Sequence, residues 1–392
     1  MSNRLKLKIL YFFIFSAMGV MNPLISQYLN SIGFSGTQIG TITSVSTAVA
    51  IGASTFWGHK YANSRDGRKV ICFLCVAAAC MGVLNSFVTG FVMFVFTYGL
   101  MFFFQGPING SSDSMVLEND EEYAGIRLWG AVGFALAVFL GGRIGEQFGL
   151  QNIFYIYAAA YIVGGFIILS IQAKPHMELK KEESTDTDDK VSFSELLTDK
   201  KAVQLILCGI FICGSNVANN TYFSFLYLDG GGSVSGVGAS FLLMVGCEAP
   251  FMALAPWLSK KISREKAIVL AAFISAARFA WYATVPAHEF LMGTFFLQGI
   301  VNGIILVEYV KYVSAVVRPR LIGIAVAAYY AISSHIGTII CNFFGGIAMD
   351  YFGSGGVYAL FSILNLIGVF LYLIFGLHKK SKKSIDTMEK RW

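Results

Sequence analysis

Apolar residues in this chain are gathered into long runs, each close to the length of a membrane-crossing helix. An α-helix needs about 20 such residues to cross ~30 Å of hydrocarbon, where backbone groups must be satisfied within the segment. The runs therefore predict an all-α membrane protein with twelve transmembrane helices. The predicted spans are residues 9–30, 38–58, 70–89, 91–115, 126–147, 152–172, 203–228, 236–258, 267–287, 290–313, 321–349 and 355–377.

The composition leaves little room for a soluble domain. Hydrophobic residues make up 56% of the chain and charged residues only 13%, whereas soluble proteins carry about 25% charged residues. The longest polar stretch, residues 173–202, is too short for a catalytic or nucleic-acid-binding domain, and no nucleophile–base pair is apparent, so we expect no enzyme. Cys72 and Cys75 have metal-ligand spacing but no second pair nearby. We interpret them as packing residues and expect no metal and no cofactor.

Lysine and arginine residues fall on one side of the membrane if the spans alternate in direction. Arg143 is the only Lys or Arg in the opposite loops. Because cytoplasmic loops carry the excess of positive charge, we predict cytoplasmic N- and C-termini in a multi-pass protein of the cell membrane. The basic clusters are residues 4–8, 60–69, 174–201, 260–266, 311–320 and 379–391.

A short motif, Gln-Gly-x-x-Asn-Gly, occurs twice, at 105–110 and at 298–303, each time in the fourth span of its half. Trp57 and Trp257 likewise each precede a basic loop. These recurrences indicate two pseudo-symmetric six-helix bundles that arose by duplication. Such duplication is typical of transporters, with a solute site between the halves near the bilayer midplane.

The boundaries of the halves follow from the polar segments. We predict an N-terminal six-helix bundle at 1–172 and a C-terminal six-helix bundle at 203–378. A segment of mixed charge at 173–202 is predicted to be a cytoplasmic linker that acts as a flexible tether. Residues 379–392 are predicted to be a basic cytoplasmic tail.

The loop after span 2 carries a motif rich in charge and glycine. Gly58 precedes its core, which is Arg65, Asp66, Gly67, Arg68 and Lys69. Twelve spans in two halves with such a loop resemble the major facilitator superfamily, whose motif reads Gly-x-x-x-Asp-Arg-x-Gly-Arg-Arg/Lys. The resemblance implies the major facilitator fold and a gating role for the loop. The Gly-Arg-Lys end matches, whereas the acidic position of the motif falls on Ala62 or Asn63.

The start of span 5 carries a narrower resemblance. Residues 127–134 read Arg-Leu-Trp-Gly-Ala-Val-Gly-Phe, similar to the Arg-x-x-Gly-x-x-Gly-aromatic start of span 5 in the lactose permease branch of sugar, nucleoside and aromatic-acid proton symporters. In that group the arginine, a carboxylate late in span 4 and the aromatic residue help to hold the sugar. The resemblance therefore implies solute-binding roles for Asp113, Arg127 and Phe134. The alternative for Arg127 is snorkelling to the lipid headgroups.

Span 7 departs from the pattern of that branch. The lactose permease has two aspartates there that pair with lysines in spans 10 and 11, whereas this chain has Asn216 and Asn219 and no deep lysine in those spans. Because the acidic and the basic partners are missing together, no uncompensated charge is left buried. We expect both asparagines to bind solute, together with Gln298 and Asn302 of the second copy of the duplicated motif. The alternative is that the asparagines only link helices.

Four ionisable residues lie inside the spans of the second half: Glu248, Arg278, Glu308 and His335. Such residues are costly in lipid and usually face a cavity or a partner. We hypothesise that Glu248 carries a proton and that Arg278, which matches the buried arginine of the lactose permease branch, tunes it. Glu308 and His335 are second choices for the same role. The alternatives are a static Glu248–Arg278 bridge and a packing role for His335.

The favoured function is a secondary active transporter that couples symport of a small polar solute, a sugar or nucleoside, to the proton gradient by alternating access. One alternative is proton-driven efflux of amphipathic compounds or drugs, which the abundant aromatic residues would suit. Another is a membrane receptor or scaffold that transports nothing. The expected partners are the solute, protons and the lipid bilayer, with no nucleic acid, and the expected state is a monomer.

Overall fold

The computed structural model describes residues 2–118, 123–172 and 193–379, so most of the predicted linker and nearly all of the predicted tail lie outside it. These residues form helices joined by short turns, with no β-strand. The long helices are α1 Asn3–Ser31, α2 Gly36–Asn63, α3 Gly67–Asn85, α4 Phe91–Glu118, α5 Tyr123–Phe148, α6 Asn152–Leu169, α7 Lys200–Asp229, α8 Val234–Ile262, α9 Arg264–Tyr282, α10 His288–Val316 and α11 Ile322–Ile374.

Helix starts are marked by residues that satisfy free backbone N–H groups. Ser35 begins α2 with a capping box, in which its side chain accepts from the backbone of Gln38 and the Gln38 side chain accepts from the backbone of Ser35. Asp199 caps α7 in a similar way through its side chain. Such caps fix where an apolar run becomes helical.

Within the described residues, ten helices are long and apolar enough to cross a membrane. The all-helical membrane fold is therefore confirmed, whereas the number twelve stays a prediction. Helix α9 is outside the ten, since its 19 residues include four charged ones. Predicted spans 11 and 12 both fall within α11, which runs for 53 residues. In place of the predicted loop between them there is a kink at Gly353. Its φ of +65° is a backbone conformation that glycine adopts without strain.

The described helices form two compact units. Unit 1 contains α1 to α6 and residues 232–242 at the start of α8, and unit 2 contains the other described helices. In unit 1, α1 packs mainly on α5 and α6, and α2 packs on α4. The carboxylate of Glu146 on α5 accepts from the backbone N–H of Ser235 at 2.8 Å. In unit 2, α7 and α9 pack against α11.

The duplicated motif has the same packing role in both units. A Cβ added at Gly106 on α4 would lie 2.9 Å from the Cβ of Ala50 on α2. A Cβ added at Gly299 on α10 would lie 2.8 Å from the carbonyl oxygen of Cys247 on α8. The first glycine of each copy therefore allows the fourth helix of its half to approach the second, as small residues do between membrane helices.

Candidate functional site

The predicted solute residues of unit 1 lie on α4 and α5, next to side chains of α1. Asp113 on α4 accepts a hydrogen bond at 2.5 Å from the hydroxyl of Tyr11 on α1. Arg127 on α5 is exposed, and its guanidinium lies 4.0 Å from the ring centroid of Phe15 on α1. Tyr123, at the start of α5, interacts with both Asp113 and Arg127. The structure thus brings a half-buried carboxylate and an exposed guanidinium into one region.

The glycines of the span-5 motif hold α5 against α1. A Cβ at Gly130 would lie 2.7 Å from the ring of Phe15, and one at Gly133 would lie 2.2 Å from the carbonyl oxygen of Phe12. The backbone of Phe134 in turn rests against Gly19, whose added Cβ would lie 2.4 Å from the Phe134 carbonyl oxygen. This close packing puts Phe15 under Arg127 and leaves the Phe134 side chain half-buried.

Three residues of unit 1 belong to this region although the sequence analysis did not assign them to a solute site. Tyr11 and Phe15 stack on each other, with ring centroids 5.8 Å apart. Asn109 lies one turn before Asp113 on α4 and donates to the thioether of Met18 at 3.1 Å, while its own carbonyl oxygen is buried without a partner among the described residues. The spacing of Asn109 and Asp113 on one helical face was the signal that could have found it.

Arg278 is the centre of a polar network in unit 2. Its side chain is buried, and its Nη1 donates to Gln298 Oε1 at 2.7 Å while its Nη2 donates to Asn216 Oδ1 at 3.1 Å. The guanidinium also lies 4.7 Å from the Phe279 ring centroid and 5.5 Å from that of Tyr282. The network therefore joins α7, α9 and α10 through neutral partners.

Glu248 on α8 is held separately, by a residue one helical turn beyond Gln298 on α10. Its Oε1 accepts from Asn302 Nδ2 at 2.5 Å. Within the described part of the chain, it makes no ion pair with Arg278 or with any other cation. In the second copy of the duplicated motif, Gln298 therefore accepts a hydrogen bond from the cation, and Asn302 donates one to the carboxylate. The hypothesised direct bridge between Glu248 and Arg278 is not what the structure contains.

Asn219 is fully buried and links helices within unit 2. Its Oδ1 accepts from the hydroxyl of Tyr358 on α11 at 2.9 Å, and its Nδ2 has no partner among the described residues. Asn216, by contrast, is half-exposed. The two span-7 asparagines therefore differ in how far a solute could reach them.

The second-choice residues, Glu308 and His335, lie in π-helical turns of α10 and α11. The buried carboxylate of Glu308 pairs with Arg264 Nε and with Lys311 Nζ, both at 3.1 Å. His335 is exposed. The structure thus places Glu308 in an ion-pair cluster distinct from the Glu248 and Arg278 contacts.

The loop between α2 and α3 is organised by one acidic residue. Asp66 caps α3 and accepts two hydrogen bonds from the Arg68 side chain, at 2.8 and 3.0 Å, which hold the pKa of this carboxyl below its ordinary value. Arg68 also donates to the carbonyl oxygen of Ile171 at 2.7 Å. Gly67 is buried, whereas Arg65 and Lys69 are exposed. The loop is therefore fastened to the end of α6.

Comparison with known proteins gives consistent matches over nearly the whole chain. The model of the MFS_1 like family matches residues 4–360. A maltose permease of Geobacillus stearothermophilus is 31% identical, covering 95% of this chain and 94% of its own. An uncharacterized transporter of Bacillus subtilis, YwbF, is also 31% identical, over 97% and 95%. The crystal structure of a mutant of the nucleoside transporter NupG superposes with a TM-score of 0.86 at 16% identity, covering 95% and 99%.

Proposed function

The chain belongs to the MFS_1 like family of the major facilitator superfamily, and we propose that it is a proton-coupled symporter. The relatives reported above are named permeases and transporters. The proposed solute is a small sugar or a nucleoside. The similarity to a maltose permease along nearly the whole chain supports a sugar and makes maltose the first solute to test. The proposed transport cycle is alternating access.

The observation that carries the proton coupling is the environment of Glu248. Among the described residues, its carboxyl has one close hydrogen-bond partner, the side-chain amide of Asn302, which donates at 2.5 Å. An amide N–H can donate both to a carboxylate, where the bond is the stronger one, and to the carbonyl oxygen of a carboxylic acid. The contact therefore survives protonation, and no cation has to be released when a proton binds. Glu308, held by two cations, would lose both ion pairs on protonation.

The proposed solute contacts in unit 1 are Asp113 and Arg127, with Phe134 supplying an aromatic face. A carboxylate and a guanidinium form the stronger, charge-assisted hydrogen bonds with hydroxyl groups. Among the described residues, Arg127 is exposed, lies over the ring of Phe15 and interacts with Tyr123. Its remaining donors are therefore available to a hydroxyl oxygen, which supports a polyhydroxylated solute.

The test is the external pH of a lightly buffered suspension of de-energised cells that express the chain. The cells are pulsed with maltose, with sucrose and with nucleosides in turn. Symport predicts alkalinisation on at least one of them, because protons enter with the solute. The Glu248→Gln variant should lose this signal and uphill uptake, while exchange of labelled for unlabelled solute continues.

The matched control is Glu289→Gln, which removes an exposed carboxylate near the start of α10. It should leave the alkalinisation unchanged. Alkalinisation that persists in Glu248→Gln would show that another group carries the proton. If the wild-type protein is in the membrane and no solute changes the pH, symport of these solutes is wrong. Lowered accumulation of amphipathic dyes in the same cells would then support efflux.

A further inference from the structure

Arg278 has an unusual set of partners for a buried cation. Its side chain is 3% exposed, yet no carboxylate among the described residues pairs with it. Instead, both terminal nitrogens hold amide oxygens, Gln298 Oε1 at 2.7 Å and Asn216 Oδ1 at 3.1 Å. Asn216 Oδ1 also accepts from the hydroxyl of Ser275 at 3.1 Å. Arg278 and Ser275 sit one turn apart on α9 and together hold this one oxygen.

This arrangement fixes which way the Asn216 amide faces. A guanidinium has donors only, so a flipped amide would set its NH2 group against the N–H of Arg278. Both acceptor positions of Asn216 Oδ1 are also already used, by Arg278 and by Ser275. The NH2 group gives one hydrogen to the carbonyl oxygen of Ile212 at 2.8 Å. Its second hydrogen is therefore what the half-exposed Asn216 can offer to a solute.

Gln298 is the second residue that fixes the position of the Arg278 guanidinium. It is 2% exposed, and its NH2 group contacts the thioether of Met244 at 2.6 Å, so its role here is to hold Arg278, while its predicted solute contact stays a prediction. The guanidinium is planar and its donors are fixed relative to one another. The hydrogen bond from Arg278 to Gln298 therefore sets the angle at which the guanidinium reaches Asn216. The rings of Phe279 and Tyr282 restrict it further.

We propose that Arg278 is a positioning residue that makes Asn216 a hydrogen-bond donor toward the solute, so that unit 2 selects solutes with an acceptor oxygen at that point. This inference rests on the proposed sugar transport. It differs from the expectation that Arg278 tunes Glu248, because it assigns Arg278 to solute selectivity. The chemical class it favours is a sugar whose hydroxyl or ring oxygen accepts from Asn216.

The decisive variant is Asn216→Asp. An aspartate keeps an oxygen for Arg278 and Ser275, so the network persists, but it replaces the NH2 donor with a second acceptor. The affinity for maltose is expected to fall several-fold because the donor to its oxygen is lost. A hydroxyl can turn to donate to the new carboxylate, so the sharper effect is expected on a derivative whose group can only accept. The variant gains an ion pair with Arg278 and loses the hydrogen bond to the Ile212 carbonyl oxygen, so thermal unfolding of the purified protein should show a stability close to that of the wild type.

Maltose derivatives provide a readout that a purely structural role would not move. At each hydroxyl position, deoxy and deoxyfluoro derivatives are compared as inhibitors of labelled maltose exchange. Fluorine can accept weakly but cannot donate. At the sugar position that Asn216 contacts, the wild type should therefore bind the fluoro derivative more tightly than the deoxy derivative. Asn216→Asp should reverse that preference. Arg278→Lys should abolish the preference, because a single ammonium cannot hold both amides.

The outcomes separate the two proposals. If the wild-type protein exchanges no sugar, the proposed solute class is wrong and this inference falls with it. If it exchanges maltose but Asn216→Asp lowers the affinity for every derivative equally, or leaves all affinities unchanged, the donor role of Asn216 is wrong while sugar transport stands. A reversal confined to one hydroxyl position supports the assignment and identifies that position.

Discussion

At the scale of single residues, the contact between Tyr11 and Asp113 orients a carboxylate for which solute binding is proposed. Tyr11 is fully buried and donates to Asp113 Oδ1 at 2.5 Å. Tyr11→Phe should remove this hydrogen bond and lower the free energy of unfolding by about 1 kcal/mol. Because Asp113 would lose its fixed orientation, the KM for the solute should also rise several-fold. Exchange kinetics and thermal unfolding measure the two effects.

The matched control is Tyr157→Phe, which breaks another buried hydrogen bond of unit 1. The hydroxyl of Tyr157 donates to Gln105 Oε1 at 2.7 Å. This change should cost similar stability and leave the KM unchanged. If both variants shift the KM alike, Asp113 has no special part in solute binding, and the role implied by the span-5 resemblance would be lost with it.

The sequence could identify residue types at the site more readily than their pairing. Glu248, Arg278, Gln298 and Asn302 were all candidates, because charges and amides inside apolar spans are conspicuous. Which amide would receive which charge depends on side-chain rotamers and on the rotation of α10, and neither follows from spacing. Tyr11 was hidden for another reason, since an aromatic run at the start of a membrane helix is equally compatible with packing or lipid contact.

At the scale of helices, the approach of α1 and α5 depends on the absence of a side chain at Gly133. An added Cβ would lie 2.2 Å from the carbonyl oxygen of Phe12, and a backbone atom cannot rotate away. Gly133→Ala should therefore force the helices apart and lower stability by about 1–3 kcal/mol, the usual cost of overpacking. Thermal unfolding of the purified protein measures this loss.

Gly110→Ala is the control for this element. The position lies in α4, and an added Cβ there would meet nothing within 4 Å. Alanine is also a better helix former than glycine. We therefore expect an unfolding temperature equal to or above that of the wild type. Equal destabilisation by both alanines would mean that α1 and α5 are not in close contact at Gly133.

The helices themselves could be predicted well because lipid imposes length and hydropathy on each of them. The exception at this scale is the region of Gly353. A drop in apolar character near residue 350 suggested a loop between two spans, and the structure does break the helix there, but only by a kink at a single non-helical residue, Gly353. Hydropathy reports where a chain can lie in lipid, and it carries no information on how sharply the backbone turns between two apolar runs.

At the scale of the whole molecule, the number and direction of crossings depend on whether α11 passes through the membrane twice. Tyr351, next to the kink, is 77% exposed. Ala62, in the last turn of α2, is also exposed and belongs to the predicted cytoplasmic segment after span 2. If α11 crosses twice and the basic loops are cytoplasmic, the two positions face opposite sides. Single cysteines placed there, in a chain whose seven native cysteines are replaced, test this with a membrane-impermeant maleimide.

We expect Tyr351→Cys to react in intact cells and Ala62→Cys to react only after the cells are permeabilised. The reason is physical, since the charged loops stay where they are synthesised while the turn at Gly353 is carried across with its two apolar runs. Labelling of both cysteines from the same side would make α11 a helix that does not cross twice, and the predicted twelve crossings would be wrong. Labelling of Ala62→Cys alone in intact cells would reverse the predicted orientation.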